Sequence, residues 1–549
     1  MRKVLRIHPD DDLMVALRNL SRGEHIHEDG VSLELRDPVP AKQKFAIRHI
    51  PAGGVVRMYG VLVGRAVDDL SAGERLTPSR IRHDSESFHY RAEHRAWSPP
   101  EVAALSEQTF DGYWRDDGKV GTANHWLVVP LVFCENRNLD YLKQALVKEL
   151  GYSTAQAYQR HVRELIELYR SGKGPQELLA WEPGQQGGSG TRQRLFPNVD
   201  GVKFLAHSLG CGETNEDSRE LCGLLAGYIT HPNVAGVTVL SLGCQKAQRA
   251  MIEEEIHRRC PEFSKPFLFF EQQRSRSERD MLTEAVKQTF VGLIGANELR
   301  RRPAGLDRLV VGMECGGSDG FSGISANPAM GYTSDLIVAL GGAVILAEFP
   351  ELCGVEQDLI DRCVNQEVAQ RFIELMTGYE AQARAVGSNF DVNRSPGNER
   401  EGLLTGAMKS AGAARKGGTS PVTDALDYPE WVTQPGLNLL CTPGGDVQST
   451  TAMAGAGANL LIFSTGLGTP TGNAVAPVIK VSSNTSLARR LPDIIDFDAG
   501  RIVGGDQAIE QAGRDLLNLC VEVAGGQVTP KAVELGQDDF IPWKRGVSL

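Results

Sequence analysis

Paired cysteines are missing from this chain: ten cysteines occur singly, and none forms a Cys-x-x-Cys pair. That pattern excludes a disulfide framework and suits a reducing compartment in which some thiols stand near a site. Long apolar runs are missing too. The longest, from Leu336 to Ala347, is interrupted by Gly341-Gly342 and is too short to span a bilayer. The start, Met1-Arg-Lys-Val-Leu-Arg-Ile-His-Pro9, has no apolar core of secretory length. The expectation is a cytoplasmic protein without a membrane partner. Positive charge is in deficit, with 58 Lys and Arg against 69 Asp and Glu and a net charge of −11. This argues against general nucleic-acid binding but leaves room for a small anionic substrate in a local basic pocket. Low-complexity periodicity is absent, so the 60 glycines point to ligand-facing loops. At 549 residues the chain exceeds one core and implies about three domains.

What is present centres on Glu314-Cys-Gly-Gly-Ser-Asp-Gly-Phe-Ser-Gly-Ile-Ser-Ala-Asn-Pro328. An apolar run, Arg308 to Gly312, precedes it as a buried strand. A helical stretch and the strand Ala343-Val-Ile-Leu346 follow it. Glycines allow close backbone approach, while Cys315, Ser318, Asp319 and Ser322 supply a soft ligand, hydroxyls and a carboxylate. A loop of this kind between strand and helix suits an anion or a metal.

Two further loops carry reactive groups after predicted strands: His207-Ser-Leu-Gly-Cys-Gly-Glu213, and Gly243-Cys-Gln245. His207, Cys211 and Glu213 have donor types for a divalent transition metal. Cys211, Cys244 and Cys315 each sit just past a strand, so a parallel sheet would gather them at one edge. Their spacing leaves both a mononuclear site and an iron–sulfur cluster open. Elsewhere Asp11 to Leu20 has helical spacing, and short β-like runs follow to about residue 85. A Gly184-Gln-Gln-Gly-Gly-Ser-Gly190 tract reads as a surface excursion.

The central stretch closely resembles the signature of the altronate and galactarate dehydratase family, metal-dependent hydro-lyases acting on sugar acids. The resemblance covers most of the chain, including His-x-x-Gly-Cys-Gly at 207–212, Asn393-Arg-Ser-Pro-Gly-Asn398 and the closing Asp539-Phe-Ile-Pro-Trp543. It implies an α/β protein with a small N-terminal β-clip (SAF-like) domain over 1–85 and a linker over 86–110. Two α/β domains over 111–250 and 251–549 would follow, with mostly parallel, Rossmann-like sheets. The chain departs from the family pattern at Lys42-Gln43-Lys44, where Gly-His-Lys is common, and at Thr77-Pro-Ser-Arg80, where His-x-His-Asn is common. Ala123 replaces an arginine, and Phe349 is also unusual.

What the resemblance implies is dehydration of a sugar acid by α-proton loss and β-hydroxyl departure, with D-altronate as first candidate. Galactarate or a sulfonated hydroxy acid is the alternative substrate, and a non-catalytic sugar-acid-binding protein is a further one. Such chemistry needs cationic stabilisation of the enol dianion but no nucleotide cofactor. The expected metal is Fe2+, with Mn2+ or Mg2+ as alternatives, held among His207, Cys211, Glu213, Cys244, Cys315 and Asp319. Arg115, Lys119, Thr122, Asn124, Ser318, Asn327 and Asn398 are the substrate-binding candidates. His207, Glu348 and Lys416 are the catalytic ones, with His207 or Glu348 as base and Lys416 holding the carboxylate. A homo-oligomer is expected.

Overall fold

In the computed structural model, residues 2–92, 95–153, 156–182 and 193–548 are described. The glycine tract at 184–190 lies outside them.

The first unit is built from short antiparallel strands and two tight hairpins. Asp29-Gly30 joins His25–Glu28 to Val31–Glu34, and Tyr59-Gly60 joins Val55–Met58 to Val61–Ala66. All four turn residues have positive φ, the requirement of a type I′ turn between twisted strands. Residues 11–20, expected to be helical, instead contain the strand Leu13–Ala16, paired on both sides with Val4–Leu5 and Lys44–Ala46. All four of its side chains are buried. Burial on both faces overrides the helical spacing, because a strand inside a small sandwich is apolar throughout. His25 and His27 lie on the outer hairpin with exposed side chains.

Lys42, Gln43 and Lys44 dock this unit onto the C-terminal one. Lys42 pairs with Glu401 and, at 3.0 Å, with Asp319; Gln43 Nε2 donates to Arg400 O and Lys44 Nζ to Gly402 O. Burial, opposed by Asp319, drops the Lys44 ammonium to about 7. The unfolded lysine holds its proton up to its ordinary value of 10.5, so the folded state binds fewer protons between about 7 and 10.5. Stability therefore rises with pH across that window, by about 1.4 kcal/mol per unit. Against Lys44→Met, the wild type should gain melting temperature between pH 7.5 and 9.5. A difference that does not change with pH would sink this reading.

The second unit holds a four-stranded parallel sheet: β1 (His125–Pro130), β2 (Gly201–Phe204), β3 (Val234–Ser241) and β4 (Phe267–Glu271), in the order β2-β1-β3-β4. The boundary expected at 250/251 cuts this sheet. β4 pairs with β3, and the helix Glu278–Ala296 packs on both. We place the end of the second unit near residue 297.

The third unit is a seven-stranded parallel sheet: β5 (Val310–Cys315), β6 (Ala343–Leu346), β7 (Val422–Leu426), β8 (Gly436–Leu440), β9 (Leu460–Thr465), β10 (Val478–Ser482) and β11 (Phe497–Asp498). Their order is β7-β8-β6-β5-β9-β10-β11. The chain winds one way from β5 through β6 and returns to its other side at β9, so the switch point lies beside β5, where α/β sheets bind ligands. One continuous apolar core runs through the second and third units. A smaller core joins the first unit to Phe321, Ile324, Leu404 and Met408. No helix among the described residues is long and apolar enough to cross a membrane.

Candidate active site

β5 ends at Cys315, and the glycine-rich segment that follows turns across the carboxyl edge of the sheet. Gly316 N donates to Ser464 O at the end of β9, and a Cβ at Gly316 would lie 1.9 Å from Asp446 Oδ2. Only glycine admits this approach. A cavity of about 370 Å³ opens here, with Cys315, Ser318, Glu351, Asn398, Lys409 and Asp446 on its wall.

Behind the wall lies a buried charge cluster. Lys416 Nζ, 1 % exposed, donates to Cys315 Sγ at 3.0 Å, Glu348 Oε2 at 2.9 Å and Glu351 Oε2 at 3.5 Å. The Cys315 thiol reaches Glu351 Oε2 at 3.2 Å, and Lys409 Nζ stands 2.7 Å from Glu351 Oε1. Glu348 takes a left-handed backbone (φ 64°) that turns the chain at the end of β6 into the short helix Phe349–Leu352. A non-glycine residue in that conformation is strained, and such strain gathers at functional sites. Ser449 Oγ donates to Glu314 Oε2 at 2.6 Å, while the Glu314 and Glu348 carboxyls meet each other and no further donor reaches Oε1 of either.

The electrostatics separate these carboxyls. Burial pushes Glu348 far up, Glu314 and Glu351 add to the push, and Lys416 only partly opposes them. Burial likewise raises Glu314, to about 7, against the pull of Lys416. Glu351 is buried as well, but Lys409 and then Lys416 outweigh that and hold it at about 2. Burial moves the Cys315 thiol well up, helped by Glu351. Lys416 is buried too, yet Cys315, Glu348 and Glu351 together raise it, so it remains an ammonium. Lys480, its Nζ 3.3 Å from the centre of the Phe463 ring, falls to about 7 through burial, partly offset by Asp446 and Glu314.

Two sets of three donors bring their ligand atoms within 4.8 Å of one another: Cys315, Glu348 and Glu351, and Glu314, Glu348 and Asp446. The first set already surrounds the Lys416 ammonium. The second brings the facing Glu314 and Glu348 carboxyls to Asp446 and offers only oxygen donors, which suits a hard divalent cation.

Of the residues expected from sequence, Cys315, Ser318, Asn398, Glu348 and Lys416 gather here. Glu314, Glu351, Lys409 and Asp446 also belong to this cluster and were not singled out. Glu314 opens the quoted central stretch and Glu351 follows Glu348 by three residues, but Asp446 and Lys409 arrive from distant helices, Asp446–Gly455 and Gly406–Ala413, and carry no local signal.

Other candidates are placed elsewhere. Asp319 is saturated: Phe321 N, Ser322 N, Ser322 Oγ and Ser483 Oγ donate to its Oδ1, and Asn484 and Lys42 hold Oδ2. It ties the first unit to the signature loop, and no lone pair is left for a metal. Asp319→Asn should lower stability by about 1–3 kcal/mol, because an amide cannot accept from all the donors on Asp319 and leaves Lys42 with Glu401 as its remaining partner, and should leave metal content unchanged; loss of metal would restore the ligand role. Asn327 is also behind the site, donating to Gly412 O and accepting from Ser464 Oγ.

His207, Cys211, Glu213 and Cys244 stand at the carboxyl edge of the other sheet and join no three-donor set among the described residues. Both imidazole nitrogens of His207 are used, one against Pro130 O at 2.7 Å and one by Leu209 N. Burial lowers its proton affinity. Glu213 accepts from Gly210 N, Cys211 N and Ser218 Oγ. Cys211 and Cys244 are exposed free thiols.

Arg115, Lys119, Thr122 and Asn124 sit at the opposite edge of the sheet. Thr122 Oγ1 donates to Asn459 O at 2.6 Å, just before β9, whereas Cys315 pairs with Ser464 near its end. Five residues of strand separate the two places by about 16 Å. Arg115 donates to Pro232 O and Asn124 Oδ1, and Asn124 to Asn198 O and Ala296 O. These residues stitch the second unit together. The arginine–threonine–asparagine pattern suggested carboxylate and hydroxyl binding because the same donors that hold a ligand also satisfy buried backbone carbonyls.

Comparison with known proteins matches three family models in tandem: "Altronate/galactarate dehydratase SAF domain" over residues 2–84, "D-galactarate dehydratase/Altronate hydrolase, second domain" over 112–297, and "D-galactarate/Altronate dehydratase, C-terminal" over 306–548. An altronate dehydratase of Bacillus subtilis (strain 168) is 32 % identical over 557 residues, covering 100 % of both chains. A galactarate dehydratase (L-threo-forming) of Escherichia coli (strain K12) is 29 % identical over 528 residues, 95 % of this chain and 93 % of that one. The beta subunit of a (2R)-sulfolactate sulfo-lyase of Chromohalobacter salexigens is 27 % identical over 440 residues, 80 % of this chain and 97 % of its own. With a full-length relative above 30 % identity and the SAF, second and C-terminal models in order along it, this chain belongs to the altronate/galactarate dehydratase family of hydro-lyases.

Proposed function

We propose that the protein dehydrates D-altronate to 2-keto-3-deoxy-D-gluconate in the cavity at the end of β5. The observation that carries this reading is a pair of lysines, buried Lys416 and partly buried Lys409, facing carboxyls of opposed proton affinity at the switch point of the sheet. Removing a proton next to a carboxylate builds a second negative charge on a small unit, and preorganised cations stabilise that charge most in a site that excludes water. Lys409 and the Asn398 and Ser318 loops meet the substrate carboxylate and hydroxyls from the cavity wall.

Glu351 is the ionised carboxylate on that wall and takes the α-proton. Its low proton affinity depends on Lys409 first. When Lys409 turns to hydrogen-bond the leaving β-hydroxyl, Glu351 loses that partner and becomes a stronger base, while the Lys409 ammonium donates the proton that lets water depart. Lys416, behind the wall, keeps Cys315 and Glu351 in place.

Glu314, Glu348 and Asp446 would hold a divalent metal; the family resemblance favours Fe2+, and the oxygen-only donor set also suits Mn2+ or Mg2+. Bound there, it would supply Lewis-acid stabilisation of the enol dianion.

Galactarate and sulfonated hydroxy acids are the competing substrates, because relatives bearing those names align along most of this chain. The deciding measurement is turnover of D-altronate by anaerobically purified protein with and without ferrous iron, followed as 2-keto-3-deoxy acid. Iron-dependent product supports substrate and metal together. Product from galactarate or sulfolactate alone overturns the substrate, and binding of all three without turnover overturns the enzymatic reading of this cavity.

A further inference from the structure

A second cavity, of about 270 Å³, lies between the second and third units at the amino edge of the seven-stranded sheet. The segment 117–120 that lines it is part of the stretch expected to bind substrate, and the catalytic cavity does not use it. Lys119, Arg259 and Arg308 supply three cations to its wall. Val310, Trp431 and Val432 supply an apolar panel.

Charge on this wall is not balanced. Lys119 has Asp117 at 3.3 Å and Arg308 has Asp307 at 3.2 Å. Arg259, 7 % exposed, has no carboxylate within 4 Å among the described residues. Its terminal nitrogens donate to the carbonyls of Gly455 and Pro429, and its Nε has no partner. Glu255 on the same helix is taken by Arg258. A guanidinium held this deep without a counter-charge is costly, and an anion supplied from outside offsets the cost.

The guanidinium is also held in a fixed orientation. Its carbon lies 4.5 Å from the centre of the Trp431 ring. A Cβ at Gly227 would stand 2.1 Å from Gly455 O and 3.0 Å from Arg259 NH1, so glycine at 227 lets the two units close around the arginine.

We propose that this cavity binds a small carboxylate with an apolar or planar body. The carboxylate faces Arg259 and Lys119, and the body lies against Trp431, Val310 and Val432. The volume is that of about nine waters at roughly 30 Å³ each, room for a small carboxylate only. A sugar acid fits this wall less well, because hydroxyls along one side of its chain would face Val310, Trp431 and Val432 without a partner. A ligand here touches 117–120 and 227–232 of the second unit and 307–310, 431–432 and 455–459 of the third. It therefore bridges them. The proposal is independent of the reaction assigned to the catalytic cavity.

The test is titration of the full-length protein with sodium benzoate, read by calorimetry and by tryptophan fluorescence, with inorganic phosphate as a second probe. The expected result is saturable binding of one benzoate per chain, unchanged by saturating D-altronate, with no comparable phosphate binding. Lys119→Ala, at a half-exposed position, should weaken it about tenfold by removing one charge-assisted contact. Arg259→Lys keeps a cation in the cavity and should weaken it as well, because the planar fork is lost. Trp431→Phe should abolish the fluorescence signal while calorimetric binding persists. Three results would overturn the proposal: no saturable binding of benzoate, displacement of benzoate by D-altronate, or affinity unaltered in both Lys119→Ala and Arg259→Lys.

Discussion

Replacing Lys416 by methionine should destabilise the protein by about 3–5 kcal/mol and abolish measurable turnover. The side chain is 1 % exposed and its ammonium is the shared partner of Cys315, Glu348 and Glu351. Methionine fills a similar volume, so the loss does not come from a cavity. It comes from leaving Glu351 ionised with Lys409 as its remaining cation, and from removing the charge that holds the Cys315 thiol and the Glu351 carboxylate against the substrate side. Denaturant unfolding followed by circular dichroism measures the stability change. An unchanged midpoint would mean that Glu351 is not ionised in the folded protein and that the cluster is a neutral hydrogen-bonded network.

The second large effect is a contrast between two chemically identical changes, Glu351→Gln and Glu348→Gln. Burial and like charges favour the neutral form of Glu348, so an amide in its place alters the apoprotein little, and the melting temperature should hold to within a few degrees. Its carboxyl belongs to the all-oxygen set with Glu314 and Asp446, so iron bound per chain should fall in Glu348→Gln. Glu351 is the opposite case. Its amide leaves Lys409 and Lys416 facing each other across a neutral group, and removes the base. For Glu351→Gln, kcat should drop by about 10²–10⁴ with iron content kept and KM nearly unchanged. Metal analysis and steady-state kinetics on both variants decide it. Iron lost from Glu351→Gln but kept by Glu348→Gln would exchange the two roles.

The departures from the family pattern in the first unit acquire a physical meaning. Lys42, at a φ of 74°, stands where relatives commonly have glycine, and its ammonium bridges Asp319 and Glu401. Gln43 and Lys44 donate to backbone carbonyls at 400 and 402. In this chain the segment is a clamp on the signature loop, and the first-unit histidines at 25 and 27 remain on the outer surface.

By itself, the sequence determined the strands and the loop that ends at Cys315. An apolar run such as Val310-Val-Gly-Met is a buried parallel strand wherever it sits, and a loop of Cys, Ser and Asp among glycines has few purposes other than holding a ligand or a tight turn. The hairpins at Asp29-Gly30 and Tyr59-Gly60 are equally local. Tertiary structure alone decided which polar residues met. Asp319 and Asp446 are both carboxylates beside glycines, yet one is consumed by five donor groups and a lysine of the first unit, and the other lies at the cavity beside Glu314 and Glu348. The same holds for Thr122 and Ser318, which stand about a strand length apart at opposite edges of one sheet. Nothing in the chemistry of a side chain tells whether the carbonyl or the ligand it is suited to bind will be nearby. The strand order around β5 tells it, because that order selects which loops share an edge.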